Sequence, residues 1–107
     1  MHFEATEMIW FEQHVLSLSE LEQLSGLPRS LLAELLDCGA IAPLEGDAAE
    51  LRFGAAALRT ARAARRLRAD FELDLQALVL ALGLLDRVAE LEAQLRELRA
   101  RVPRQPR

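Results

Sequence analysis

Between Leu24 and Ser30 the chain reads "LSGLPRS", and a glycine and a proline placed so close together stop any helix from running through. A helix upstream must end near Gly26, and a helix downstream must begin near Pro28. Upstream, Ser19 and Glu22 have the spacing of a capping box, in which each side chain satisfies the other's free backbone amide. That predicts a short helix over about residues 20–25, with Leu21 and Leu24 turned inward and Gly26 as its left-handed stop. Downstream, Pro28 fits the first turn of a second helix, where its missing amide hydrogen is not needed. Leu31, Leu32, Leu35 and Leu36 then fall on one stripe, and Gly39 closes the helix. Two short helices joined by a tight turn, each apolar on one side, have to share a core with the rest of the chain.

The remaining sequence supplies that core. "AIAPLEGDAAELRF" (40–53) reads as two short extended pieces around an acidic, glycine-containing turn, a small β-wing whose first piece Pro43 keeps at an edge. "GAAALRTARAARRLRADF" (54–71) is a third helix, with Leu58, Ala61, Ala64, Leu67 and Phe71 recurring at helical steps. Its other side carries Arg59, Arg62, Arg65, Arg66 and Arg68. Asp74 is the expected N-cap of a last helix over about 75–101, in which Leu84, Val88, Leu91, Leu95, Leu98 and Val102 step as a heptad seam. So short a seam cannot hold a lone helix in water. It either joins a second copy of the chain or packs back onto its own domain; a homodimer through Leu84, Val88, Leu91, Leu95 and Leu98 is the expectation. The anticipated organisation is an N-terminal segment 1–15, a domain over 16–74, a long dimerisation helix over 75–102 and a frayed tail over 103–107. Within the first of these, "MIWFEQHVL" reads as an extended segment pairing with another strand, anchored by Trp10.

Composition narrows the function classes. Tyrosine is absent and Phe and Trp together number five, so the core must be built mainly of Leu and Ala, which favour helix. The single cysteine, Cys38, excludes an intrachain disulfide and a cysteine-based zinc site, and is expected to fill a small buried apolar position beside Gly39. His2 and His14 lie far apart without further ligands nearby, so neither a metal nor another cofactor is expected. No nucleophile elbow, phosphate loop or carboxylate pair is present, Ser19 is better explained as a cap than as a nucleophile, and the chain does not read as an enzyme. "MHFEATEMIWFEQH" carries three acids and no basic leader region, and the longest apolar run, "ALVLALGLL" (77–85), is about half a bilayer span. A soluble, cytoplasmic protein with no membrane partner is expected.

Charge divides the chain in two. Residues 1–52 hold ten acids and two arginines, a net of −8, whereas residues 53–107 hold seven acids and eleven arginines, a net of +4. The second helix would offer solvent Ser30, Ala33, Glu34 and Asp37, with Arg29 the one basic residue at its first turn, and the wing adds Glu45, Asp47 and Glu50. An electrostatic partner of this half should therefore be basic.

The order of elements, together with "LSLSELEQLSGLPRSLLAELLDCGAIAP" and "LRFGAAALRTARAARRLRADFELDLQALVLAL", resembles the MerR-like winged-helix regulators over most of residues 16–84. The resemblance implies a mostly α fold: a winged helix-turn-helix domain with a small β-wing and a long, coiled-coil-like C-terminal dimerisation helix. DNA-binding members of that superfamily usually carry an Arg-Tyr-Tyr-type cluster on the second helix and a basic wing. Here the corresponding stretches read "SLLAELLD" and "EGDAAEL", so DNA is not the expected partner. With the acid-capped run "ELDLQALVLALGLLDRVAELEAQLREL", the chain is similar over about residues 16–101 to the small chaperone modulators of the CbpM type. That resemblance implies an inhibitor that binds the J-domain of a DnaJ/CbpA-like co-chaperone and blocks its use by Hsp70. A J-domain engages Hsp70 through a basic helix, so a competitor's contact face would be acidic, and Glu34, Asp37, Glu45, Asp47 and Glu50 are the candidate partner-binding residues.

Two other readings stand beside this one. A MerR-type transcriptional regulator would use the arginine helix and a dimer to span DNA half-sites, and a plain oligomerisation module would need only the heptad seam. The acids themselves have a simpler explanation as an ordinary solvated surface.

Overall fold

The computed structural model describes residues 14–44 and 50–102. The extended segment expected around Trp10, the wing tip with Glu45 and Asp47, and the tail after Val102 lie outside these residues. The elements are β1 (Leu16–Ser17), α1 (Leu18–Ser25), α2 (Arg29–Asp37), β2 (Arg52–Phe53), α3 (Ala55–Phe71) and α4 (Leu75–Arg101). The fold is mostly helical, with one small antiparallel sheet and a long C-terminal helix, as the winged-helix pattern requires.

Local chemistry explains most of the boundaries. α1 begins two residues earlier than expected because Ser17, not Ser19, is its cap. The Ser17 hydroxyl accepts from the Glu20 amide at 3.1 Å, and the Glu20 carboxylate accepts from the Ser17 amide at 3.0 Å. Gly26 ends α1 at φ 77°, and its amide donates to the Glu22 carbonyl at 3.0 Å. Pro28 stands just outside α2 as its extended N-cap residue (φ −61°, ψ 147°). Asp74 caps α4 as expected, accepting from the Ala77 amide at 2.8 Å.

The wing differs from the sequence reading in its pairing. Among the described residues β2 forms no ladder with the segment before the turn; it pairs with β1, in the register Leu16↔Phe53 and Ser17↔Arg52. The preceding segment approaches β2 through one bond, from the Leu44 amide to the Arg52 carbonyl at 2.7 Å. This puts Leu16 and Phe53 side by side in the core, where both are buried.

Around them close Leu21 of α1, Leu32 and Leu35 of α2, Leu58, Ala61 and Ala64 of α3, and Leu78 of α4, all inaccessible to solvent. The two alanines let α3 approach its neighbours closely, the consequence of a core with so few aromatics. Three expectations fail here. Leu24 is 37 % exposed because the stripe that α1 turns to the core runs through Leu18, Leu21 and Ser25, and Leu24 lies outside it. Phe71 is 66 % exposed because α3 ends there, at a left-handed Glu72, before its ring can be covered. Cys38 is exposed rather than buried; it follows the last turn of α2, with its thiol 3.4 Å from the Leu35 carbonyl.

α4 packs on the core through Leu78 and Leu82 and then leaves it. From Gly83 to Val102 every residue is exposed, the heptad seam included, with Leu84, Val88, Leu91, Leu95, Leu98 and Val102 between 41 and 67 % exposed. The alternative in which the seam packs back onto its own domain is not what the structure adopts. The projecting helix makes the molecule elongated, 57 × 31 × 24 Å.

Candidate functional site

The outward side of α2 is set by what its inward side must do. Leu32 and Leu35 are buried and Leu31 and Leu36 half-buried, so Arg29, Ser30, Ala33, Glu34 and Asp37 face solvent. The single cation among them is engaged. The Arg29 guanidinium donates from Nε to Glu22 at 3.0 Å and from Nη2 to the Ser19 hydroxyl at 2.8 Å. Ser19 and Glu22, read from the sequence as a capping pair, instead clasp the start of α2 against α1.

Glu34 and Asp37 are left as the charges of that face. Both are exposed, and neither forms an ion pair with any described residue. They stand in the last turn of α2, which contains no base. The carbonyl end of a helix favours cations by roughly 0.3–1 kcal/mol, so two acids there run against the helix dipole. Of the wing acids, Glu50 is exposed and lies 3.8 Å from Arg52, while Glu45 and Asp47 fall outside the described residues.

Beside α2's first turn lies a feature the sequence did not reveal. A cavity of about 520 Å³ is lined by Val15, Leu18, Glu20, Arg29, Glu50 and Leu51. Val15 and Leu51 are about half exposed, so this recess has apolar walls, and its rim carries both signs of charge, Glu20 and Glu50 with Arg29 and Arg52. It arises where β1 meets β2, a pairing between residues some 35 positions apart in sequence. No local periodicity signals such a pairing.

The arginines of α3 are used differently. Arg62 donates from Nε to the Leu24 carbonyl at 3.1 Å, closing the end of α1 from 38 residues away. Arg65 lies over Gly26, its Cδ and Nε 2.8 and 2.7 Å from where a Cβ there would stand. Arg66 pairs with Asp70 at 3.7 Å, one turn along the same helix. Arg62, Arg65 and Arg66 are thus committed to contacts within the chain.

Among the described residues no three His, Cys, Asp or Glu side chains gather to hold a metal ion, and no helix is long and apolar enough to cross a membrane. A comparison with curated proteins finds no match. A family model described as MerR HTH family regulatory protein matches residues 16–100, from the first strand to the penultimate residue of α4. Most of the chain is covered, and with it every element of the fold: this protein belongs to the MerR helix-turn-helix family of regulatory proteins.

Proposed function

We propose that the chain regulates another protein by direct binding, and that the partner is the J-domain of a DnaJ/CbpA-like co-chaperone, whose work with Hsp70 it inhibits. One observation carries the reading: the helix that occupies the groove-reading place of the fold has its only cation held by Glu22 and Ser19, and presents Glu34 and Asp37 instead. Such a face repels phosphate and attracts a basic helix. Of the wing acids named from the sequence, Glu50 is exposed beside Arg52 and is proposed to join this contact, with Glu45 and Asp47 as candidates from the sequence alone. Exposed ion pairs contribute roughly 0–1 kcal/mol each, so they orient the encounter. The recess between Val15 and Leu51 supplies the apolar contact that affinity needs.

The inhibitor acts as a homodimer through Leu84, Val88, Leu91, Leu95 and Leu98, whose exposure in a single chain is the motive for a second copy. Sedimentation at micromolar concentration should give a dimer for the full chain and a monomer after truncation at Arg87. A full-length chain that sediments as a monomer contradicts the dimer.

Titration of an isotope-labelled J-domain with the protein should give saturable shifts centred on the J-domain's basic helix. A J-domain spectrum unchanged at high excess refutes the proposal. The second reading, a DNA-binding regulator, draws on the family match and on the exposed Arg68 of α3. It predicts a gel shift at low salt whose affinity falls steeply as salt rises.

A further inference from the structure

We propose that Gly83 is a hinge at which the projecting part of α4 bends relative to the winged domain. Glycine in a helix interior is disfavoured against alanine by about fivefold, so its presence in the middle of a 27-residue helix needs a reason. Packing gives none: a Cβ placed on Gly83 meets nothing within 4 Å. Its position does. Gly83 directly follows Leu82, the last buried residue of α4, and every described residue after it is exposed.

The surroundings leave room to move. On one side of this turn lies a cavity of about 280 Å³, lined by Gly39, Ala40, Thr60, Leu82, Asp86 and Gly83 itself. A second cavity, of about 210 Å³, is lined by Ala56, Ala63, Leu85 and Ala89 along the next turn. The helix therefore leaves the core between two voids. A bend of about 15° at Gly83 carries the helix end, about 27 Å further on, through about 7 Å. In a dimer built on the seam, that motion resets the distance and angle between the two winged domains, which lets one dimer fit partners of different spacing. The hinge is independent of what the acidic face binds.

The test measures an intrachain distance across the hinge. Spin labels are placed at Arg68→Cys and Gln94→Cys in a Cys38→Ser background, and labelled chain is diluted into excess unlabelled chain. The distance distribution should be broader by about 4 Å in the parent than in the Gly83→Ala variant, since residue 94 lies about 16 Å beyond the hinge. Circular dichroism should show equal or greater helix content in the variant, because the added methyl has space. Equal widths in parent and variant, whether narrow or broad, overturn the proposal.

Discussion

α2 and α3 are both charged helices in one small fold, and they deploy their charges in opposite ways. The arginines of α3 hold the molecule together: Arg62 closes the end of α1, Arg65 covers the turn at Gly26, and Arg66 pairs along its own helix. The acids of α2 contact no described residue as ion pairs and oppose the dipole of the helix they stand on. A charge that serves the fold is recognisable by its partner. One that pairs with no described residue and disfavours its own helix serves solubility or, in the function proposed above, a partner outside the chain.

If α3's basic side chains are structural, disturbing them must cost stability. The largest effect is expected at the turn they cover. Gly26→Ala forces a left-handed alanine and pushes Arg65 aside, and should destabilise the protein by about 2 kcal/mol in denaturant unfolding. Arg62→Met keeps the aliphatic stem but loses the bond to the Leu24 carbonyl, and should lower stability by about 1 kcal/mol. A neutral result at Arg62 would return that residue to the exposed surface available for ligands. The smallest effect, with the opposite sign, is expected on α2. Glu34→Arg with Asp37→Arg should leave stability unchanged or raise it by up to about 0.5 kcal/mol, because cations suit a helix C-terminus. A marked loss on thermal unfolding would mean that the acids are structural after all.

How far these roles could be read from the sequence depended on the range of the interaction. Gly26, Asp74 and the leucine stripe of α2 report on backbone and side chains within one or two turns, and were legible. The capping box was legible in kind but not in place. Ser17–Glu20 and Ser19–Glu22 have the same spacing, and only Arg29, by taking both Ser19 and Glu22, leaves the cap to Ser17. The pairing of β1 with β2, the reach of Arg62 to Leu24 and the recess at Val15 and Leu51 join residues more than thirty positions apart, and nothing local encodes them. The exposure of Phe71 and Cys38 followed from where helices end, to which residue type is a poor guide.

In the proposed function α2's acidic face, rather than α3, is the surface a J-domain recognises. Calorimetric titration of the co-chaperone's J-domain with three proteins tests it: the parent, Glu34→Arg/Asp37→Arg and Arg66→Glu/Arg68→Glu. The account predicts that the acidic-pair variant, folded and at least as stable as the parent, binds about 1–2 kcal/mol more weakly through slower association. The arginine-pair variant should bind like the parent. Parent-like binding by the acidic-pair variant, with binding abolished in the arginine-pair variant, would contradict the account and make α3 the recognition helix.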